Sequence, residues 1–234
     1  MGRIGVLMLV LAAAVVTAAV ALAATPPPKQ LRAAMLRAAS ARHSVHYVST
    51  SSAAGHFIRI VADVGAGRGI QRITVKSGGH SGPATVRIAD GSAYIRGSAF
   101  TLHNYFPFSQ TQAKRYAGQW ISIPSTSGAY EVVAADATFA SFVGDLLPSK
   151  NLRVVRATIA GKRAVGVRGT VRQAGLTLTE TVYAPARGTP LPFEEKAVAA
   201  RVRGTSVARM SRWNEPVQVA APANAVPIST VVAH

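Results

Sequence analysis

The stretch FIRIVADVGAGRGIQRITVK, residues 57–76, alternates apolar and polar side chains on both sides of a glycine-rich turn. Its first half places on one face Ile58, Ile60, Ala62 and Val64. Its second half places Gln71, Ile73 and Val75 on one face and Arg72, Thr74 and Lys76 on the other. A period of two is typical of a β-strand with one buried face. The stretch therefore predicts an antiparallel hairpin and not a phosphate-binding loop, which would lead into a helix.

The same rhythm continues in both directions along the chain. Residues 44–50 alternate before the hairpin, and residues 84–96 alternate after it around Asp90-Gly91, a dipeptide favoured in tight turns. Further strand-like segments follow at 152–159, 163–173, 176–183, 191–200 and 206–213. We count roughly nine to eleven strands, which is more than a flat sheet holds comfortably. The sheet should therefore curve strongly into a half-barrel or barrel.

Three segments have helical rather than strand periodicity. The first carries Leu31, Ala34, Met35 and Ala38 at helical spacing. Residues 99–117 are rich in aromatic side chains without clean alternation, which indicates short helices or an ordered loop. Residues 138–147 form an apolar helical stripe that stops at Pro148. We expect these segments to cover the open side of the sheet, which gives a mainly β fold with helices (α+β).

The N-terminal residues indicate export. An apolar run covers residues 4–22, follows Arg3, and ends in an Ala-x-Ala site directly before a proline cluster. We expect residues 1–23 to be a signal peptide or N-terminal anchor and residues 24–30 a Pro-rich linker. Residues 31–222 should form a single domain, and residues 223–234 an extended or disordered tail. The predicted location is extracytoplasmic, either secreted or attached to the cell membrane by an uncleaved N-terminal segment.

Composition narrows the classes of partner. The chain has no cysteine, which excludes a disulfide framework, thiolate metal sites and an acylated cysteine. Its formal net charge is +17, from 26 Lys plus Arg against 9 Asp plus Glu. Such a charge favours an anionic membrane or envelope surface as partner. The basic residues are scattered singly and follow no nucleic-acid-binding motif, so we expect no nucleic-acid partner. We expect the protein to be a monomer.

Catalytic motifs are absent from the sequence. It contains neither a G-x-S-x-G elbow nor an H-E-x-x-H pair. His43 and His46 would point to opposite faces of a strand, and so would the adjacent Glu194 and Glu195. We therefore predict a protein that is not an enzyme, with no catalytic residue, no metal site and no cofactor.

Apolar side chains, in contrast, are abundant. The sequence is 49% hydrophobic and has a mean hydropathy of +0.23. A curved sheet with an apolar concave face must either fill that face with its own side chains or leave a cavity that accepts acyl chains. The candidate lining residues of such a cavity are Ile58, Ile60, Val64, Ile73, Val75, Val86 and Ile88 from the strands, with Phe139, Phe142 and Leu146 from the covering helix. This assignment depends on the strand register, because a slip of one residue would exchange the two faces.

Three short motifs in this order carry a resemblance to a known family. They are DGSAYIRG at 90–97, AGQWISIP at 117–124 and WNEPVQVAAP at 213–222. Together with the N-terminal helix and the hairpins, they resemble the LppX/LprG-type actinobacterial lipoproteins over residues 31–222. The resemblance implies a strongly curved antiparallel half-barrel, related to the LolA and LolB carriers, with helices covering the concave face. This chain departs from the family in lacking the lipobox cysteine.

The resemblance also implies a function. Such a half-barrel holds the acyl chains of lipids or lipoglycans in a hydrophobic cavity and brings no catalytic residues. We therefore expect an extracytoplasmic binding or carrier protein for an apolar, acylated ligand. The alternative is an interaction or regulatory module of the cell envelope, with a filled core and no bound lipid.

Overall fold

The computed structural model describes residues 26–134, 137–173 and 175–232, which form one 12-stranded sheet with helices against one face. The strands are β1 (Ser44–Ala53), β2 (His56–Gly65), β3 (Arg68–Ser77), β4 (His80–Ala89), β5 (Ser92–Gly97), β6 (Ile121–Pro124), β7 (Lys150–Ile159), β8 (Lys162–Gln173), β9 (Leu176–Pro185), β10 (Glu194–Ala199), β11 (Gly204–Ser211) and β12 (Val226–Pro227). The helices are α1 (Pro28–Ser40), α2 (Ala99–Asn104), α3 (Gln110–Arg115), α4 (Gly128–Ala134), α5 (Phe139–Asp145) and α6 (Ile228–Val232).

The sheet consists of two runs of hairpins that are joined in the middle. Its strand order is β12-β6-β5-β4-β3-β2-β1-β11-β10-β9-β8-β7. All neighbours are antiparallel except β12 and β6, and the pairing of β1 with β11 joins the two runs. In the described part of the chain the outermost strands, β12 and β7, do not pair with each other, so the sheet is curved but open. The predicted fold class is confirmed.

The hairpin at residues 57–76 has the register that its alternation predicts. Ile58 lies opposite Val75, and Ile60 lies opposite Ile73. Side chains paired in this way share a face and stabilise each other. Near the turn the sheet comes very close to another segment, because a Cβ on Gly69 would lie 1.9 Å from the carbonyl oxygen of Ala137. Only glycine permits this approach.

The helices cover one face of the sheet, which we call the concave face. One cluster of buried apolar side chains lies between strands β3 to β6 and helices α2, α3, α4 and α6, with Ile95 and Leu102 at its centre. A second cluster lies beneath α1 and α5 and includes Met35 and Phe142. Ile60 packs against both clusters. The core is therefore divided into two lobes that meet near the middle of the sheet.

Local sequence signals explain where the helices begin. Ser109 and Gln112 form a capping box at the start of α3, and the Thr138 side chain accepts a hydrogen bond from the Ser141 backbone N–H at the start of α5. α1 begins at Pro28, inside the segment 24–30 that we expected to be a linker. Proline is well tolerated there because the first N–H groups of a helix have no partner within the helix.

After β11 the chain crosses the outer face of the sheet, opposite the helices. Trp213 still packs against α5, and we call the crossing that follows, residues 214–225, the C-terminal strap. The Asn214 backbone N–H donates to the Ser44 carbonyl at 3.1 Å, and an Arg87 Nη donates to the Ala220 carbonyl at 3.4 Å. The strap therefore runs from β1 to β4 and leads to β12, which pairs with β6.

The end of the chain is more ordered than the sequence suggests. We expected an extended or disordered tail over 223–234, whereas residues 226–232 form β12 and α6. β12 pairs with β6, and Val231 of α6 is fully buried in the first cluster. The physical reason is the edge of β6, whose unpaired backbone groups β12 satisfies. A helix of five residues is too short for its periodicity to be recognised in the sequence.

Within the described residues, no helix has the length and apolarity that crossing a bilayer would require. The apolar run at 4–22, interpreted above as a signal peptide or anchor, lies outside those residues.

Candidate functional site

The residues predicted to line a cavity all lie on the concave face or on the helix that covers it. Four of them belong to the first cluster, namely Ile73, Val75, Val86 and Ile88. Four belong to the second, namely Val64, Phe139, Phe142 and Leu146. These eight are at most 9% exposed, because helices pack directly on them. Ile58 and Ile60 differ, since they are only half-buried.

The half-buried pair adjoins a stretch of small side chains at the centre of the concave face. We call this stretch the central floor, and it consists of Ser49, Ser51, Ile58, Ile60, Ser206 and Ala208. These side chains share a face because β1 pairs with β2 on one side and with β11 on the other. Except for Ala208, all of them remain partly exposed. The central floor thus lies between the two lobes of the core and is only partly covered.

The polar groups of the central floor are partly satisfied by each other. The Ser51 hydroxyl donates to the Ser206 hydroxyl across β1 and β11 at 2.9 Å. A hydroxyl that is already hydrogen-bonded loses less when an apolar group covers it than an unpaired one does. Small serine side chains beside Ile58 and Ile60 therefore leave the middle of the concave face less covered than the two lobes of the core.

A buried carboxyl group lies on the same concave face. Glu180 of β9 alternates with Val182 and Ala184, which point into the second cluster, and it is 5% exposed. The pKa of Glu180 is raised from 4.5 to about 8, mainly by burial and also by the negative charges of Glu195 and Asp145, while Arg32 lowers it. The carboxyl is therefore mostly protonated at neutral pH, and a neutral group is compatible with apolar surroundings.

Sequence reasoning did not identify this carboxyl. The signal was available, because alternation places Glu180 on the same face as Val182 and Ala184. The adjacent carboxylates Glu194 and Glu195 are the more conspicuous pair in the sequence. Glu194 lies on the outer face, where Arg209 and Lys196 each approach it to 3.0 Å.

His46, the other polar candidate, also lies on the outer face. Its Nδ1 is 2.7 Å from Asp63 Oδ1, and Arg212 approaches both side chains, with its Nη2 at 3.0 Å from the same Asp63 oxygen. Together with Glu215 of the C-terminal strap they border a depression of about 330 Å³. Among the described residues, no group of three or more His, Asp or Glu side chains could hold a metal ion. The cluster instead connects β1 and β2 to the start of the strap.

An open, curved, mainly antiparallel sheet with helices on its concave face is a half-barrel fold. The crystal structure of lipoprotein LppX from Mycobacterium tuberculosis has this fold, with a TM-score of 0.51 and 14% identity over 83% of this chain and 100% of that one. An uncharacterised conserved protein from Thermus thermophilus is less similar, with a TM-score of 0.44 and 9% identity over 85% of this chain and 96% of that one. No protein-family model matches the sequence, and no curated protein matches it.

Proposed function

We propose that the protein is an extracytoplasmic, non-enzymatic binding or carrier protein for an apolar, acylated ligand, a lipid or a lipoglycan. The observation that carries this proposal is the central floor, a partly exposed stretch of small and apolar side chains on the concave face, which would serve as a trough for the acyl chain. The similarity of the fold to that of LppX, a lipoprotein by name, supports it. The acyl chain would lie along Ile58 and Ile60, between the two lobes of the core.

The hydrophobic effect is large enough for this mode of binding. Each methylene removed from water contributes about 0.8 kcal/mol, so a chain that buries only half a dozen methylenes gains roughly 5 kcal/mol before the entropic costs of association. Deeper insertion would move α5 away from the sheet. The acyl chain would then replace contacts such as the stacking of Phe142 on Tyr47, whose ring centroids are 5.1 Å apart.

A second candidate function has one observation in its favour. Eight of the ten predicted lining residues are buried beneath helices, which fits an envelope interaction or regulatory module with a filled core. On that hypothesis the helices never move, and recognition uses an exposed surface. Because the net charge is +17, an anionic membrane or envelope surface is a proposed partner under either hypothesis.

Lipid extraction and native mass spectrometry of the purified protein, followed by uptake of a fluorescent fatty acid, separate the two functions. The carrier proposal predicts co-purifying lipid or saturable uptake. It also predicts that Ser49→Phe, which fills the central floor, lowers the uptake strongly. The matched control is Thr50→Phe, on the opposite face of the same strand, which should leave uptake unchanged. No lipid and no uptake by the unaltered protein would exclude the carrier function.

A further inference from the structure

We propose that the outer face of the sheet carries a binding pocket for a phosphate group, built from Arg72, Arg87 and Arg96. These arginines line a depression of about 410 Å³ between β3, β4 and β5, with Thr85 between them and Trp120 at its border. The pocket lies on the side of the sheet opposite the central floor. It therefore does not depend on acyl-chain binding, and the headgroup of a ligand lying in the trough would not reach it.

The strand register brings the three arginines together. Thr85 of β4 pairs with Arg72 of β3 on one side and with Arg96 of β5 on the other. Adjacent strands are about 4.8 Å apart, so the Cα atoms of Arg72 and Arg96 lie roughly 10 Å apart with Thr85 midway. Arg87 follows Thr85 by two residues and points to the same face. The three arginines and Thr85 thus lie on one face of three adjacent strands.

The pocket carries an excess of positive charge. The lining of the pocket contains no Asp or Glu, and none of the three guanidinium groups forms an ion pair within the described part of the chain. The depression beside the C-terminal strap shares Arg72 with this pocket, but its two carboxylates, Asp63 and Glu215, are paired with Arg212. The three guanidinium groups repel one another, and an anion bound between them would relieve that repulsion.

Arg87 is held in place for such a ligand. Its guanidinium lies over the Trp120 ring, 4.7 Å from the centroid, and one Nη donates to the Ala220 carbonyl of the strap. Its Nε is buried and has no acceptor in the described residues. A buried N–H without an acceptor costs free energy, and that cost is recovered if a small local adjustment lets an oxygen accept from it. Arg72 and Arg96, in contrast, are exposed and can close on a ligand from both sides.

This arrangement selects a phosphate monoester over other anions. Guanidinium groups present paired N–H donors that match the oxygens of phosphate, and charge-assisted hydrogen bonds of this kind are the strong ones. A dianionic phosphate neutralises more of the triple positive charge than a carboxylate does. The Thr85 hydroxyl adds a neutral donor at the centre. The group could come from a lipid headgroup or from a small soluble phosphate compound, which share this chemistry.

Titration with inorganic phosphate at constant ionic strength tests the pocket. We expect calorimetry to show saturable binding. In ¹⁵N–¹H NMR spectra the indole N–H signal of Trp120 should change its chemical shift, while that of Trp213, which packs against α5, should not. The Arg72→Gln/Arg96→Gln double variant should weaken binding about tenfold or more, since it removes two charged donors. Both residues are exposed, so folding should be retained, and thermal unfolding monitors that.

The matched control is Arg168→Gln/Arg172→Gln, which removes two exposed arginines from β8 in the other half of the sheet. It carries the same charge change and should leave phosphate affinity unaffected. Non-saturable binding, shifts at both tryptophans, or equal weakening by the two double variants would overturn the proposal in favour of a general effect of charge.

Two further binding experiments identify the source of the phosphate group. If it is a lipid headgroup, phosphatidic acid vesicles should sediment the protein more than phosphatidylglycerol vesicles of equal charge, and Arg72→Gln/Arg96→Gln should abolish the difference. If it is a small molecule, glycerol phosphate should bind saturably while the two kinds of vesicle sediment the protein equally. Either result supports the pocket, and binding to neither phosphate form contradicts it.

Discussion

At the residue scale, the alternation of the sequence determines which side chains face the helices. A period of two leaves only two possible faces for each side chain, and Ile58 and Ile60 lie on the concave one. Alternation along one strand says nothing about neighbours on other strands. For that reason it could not show that Arg72 and Arg96 flank Thr85, and the scattered arginines appeared to be separate solvated residues.

Glu180 gives a prediction for the pH dependence of stability. Its pKa is about 8 in the folded protein and ordinary in the unfolded chain, so between pH 4.5 and about 8 the folded state binds a proton that the unfolded state has lost. The free energy of unfolding should therefore fall as pH rises through this window. Glu180→Gln removes this decline, and we expect it to be more stable than the unaltered protein at pH 9 by on the order of 3 kcal/mol.

Urea unfolding of both proteins between pH 5 and 9 measures this difference. The control is Glu131→Gln, the same substitution at an exposed position of α4, which should leave the decline of stability with pH in place. A Glu180→Gln variant whose stability runs parallel to that of the unaltered protein over the whole range would contradict the raised pKa.

Gly69 gives a second prediction at this scale. A Cβ at this position would collide with the Ala137 carbonyl oxygen, so Gly69→Ala must push the segment before α5 away from the sheet. We expect a loss of about 2 kcal/mol or more, measured as a lower Tm. Gly128→Ala is the control, because a Cβ on Gly128 would meet no atom within 4 Å. Equal effects of the two substitutions would show that the close approach is unimportant.

At the element scale, hairpins and long helical stripes were predictable, and short elements that depend on tertiary contacts were not. The strands of each hairpin run are joined by turns with recognisable residues such as Asp90-Gly91. β12 and α6 have no such local signal. They exist because β6 offers an unpaired edge and the first cluster leaves room for Val231.

The C-terminal elements give a prediction in which two neighbouring valines are compared. Val231 is fully buried and Val232 is 64% exposed in the same helix. Val231→Ala should destabilise the protein by about 1 to 3 kcal/mol, since it removes buried methyl groups from the first cluster. Val232→Ala should have almost no effect on the free energy of unfolding. If the two variants unfold alike in urea, α6 does not contribute to the core.

At the scale of the whole molecule, the number of strands predicted a curved sheet, but not where its two runs join. The pairing of β1 with β11 brings together residues about 160 positions apart, such as Ser51 and Ser206, which are 155 apart. No local pattern specifies this contact. The pairing of β1 with β11 creates the central floor. The sequence therefore predicts only an apolar face, and the small side chains at its centre are brought together by the fold.

Binding of an acyl chain to the central floor can be measured residue by residue. In a protein with ¹³C-labelled isoleucine methyl groups, a nitroxide-labelled stearic acid broadens the signals of methyl groups close to it. We predict saturable broadening of Ile58 and Ile60 on the concave face, while Ile70 and Ile159 on the outer face stay sharp. Equal broadening on both faces, or none at concentrations that saturate known acyl binders, would contradict the assignment of the concave face as a lipid-binding site.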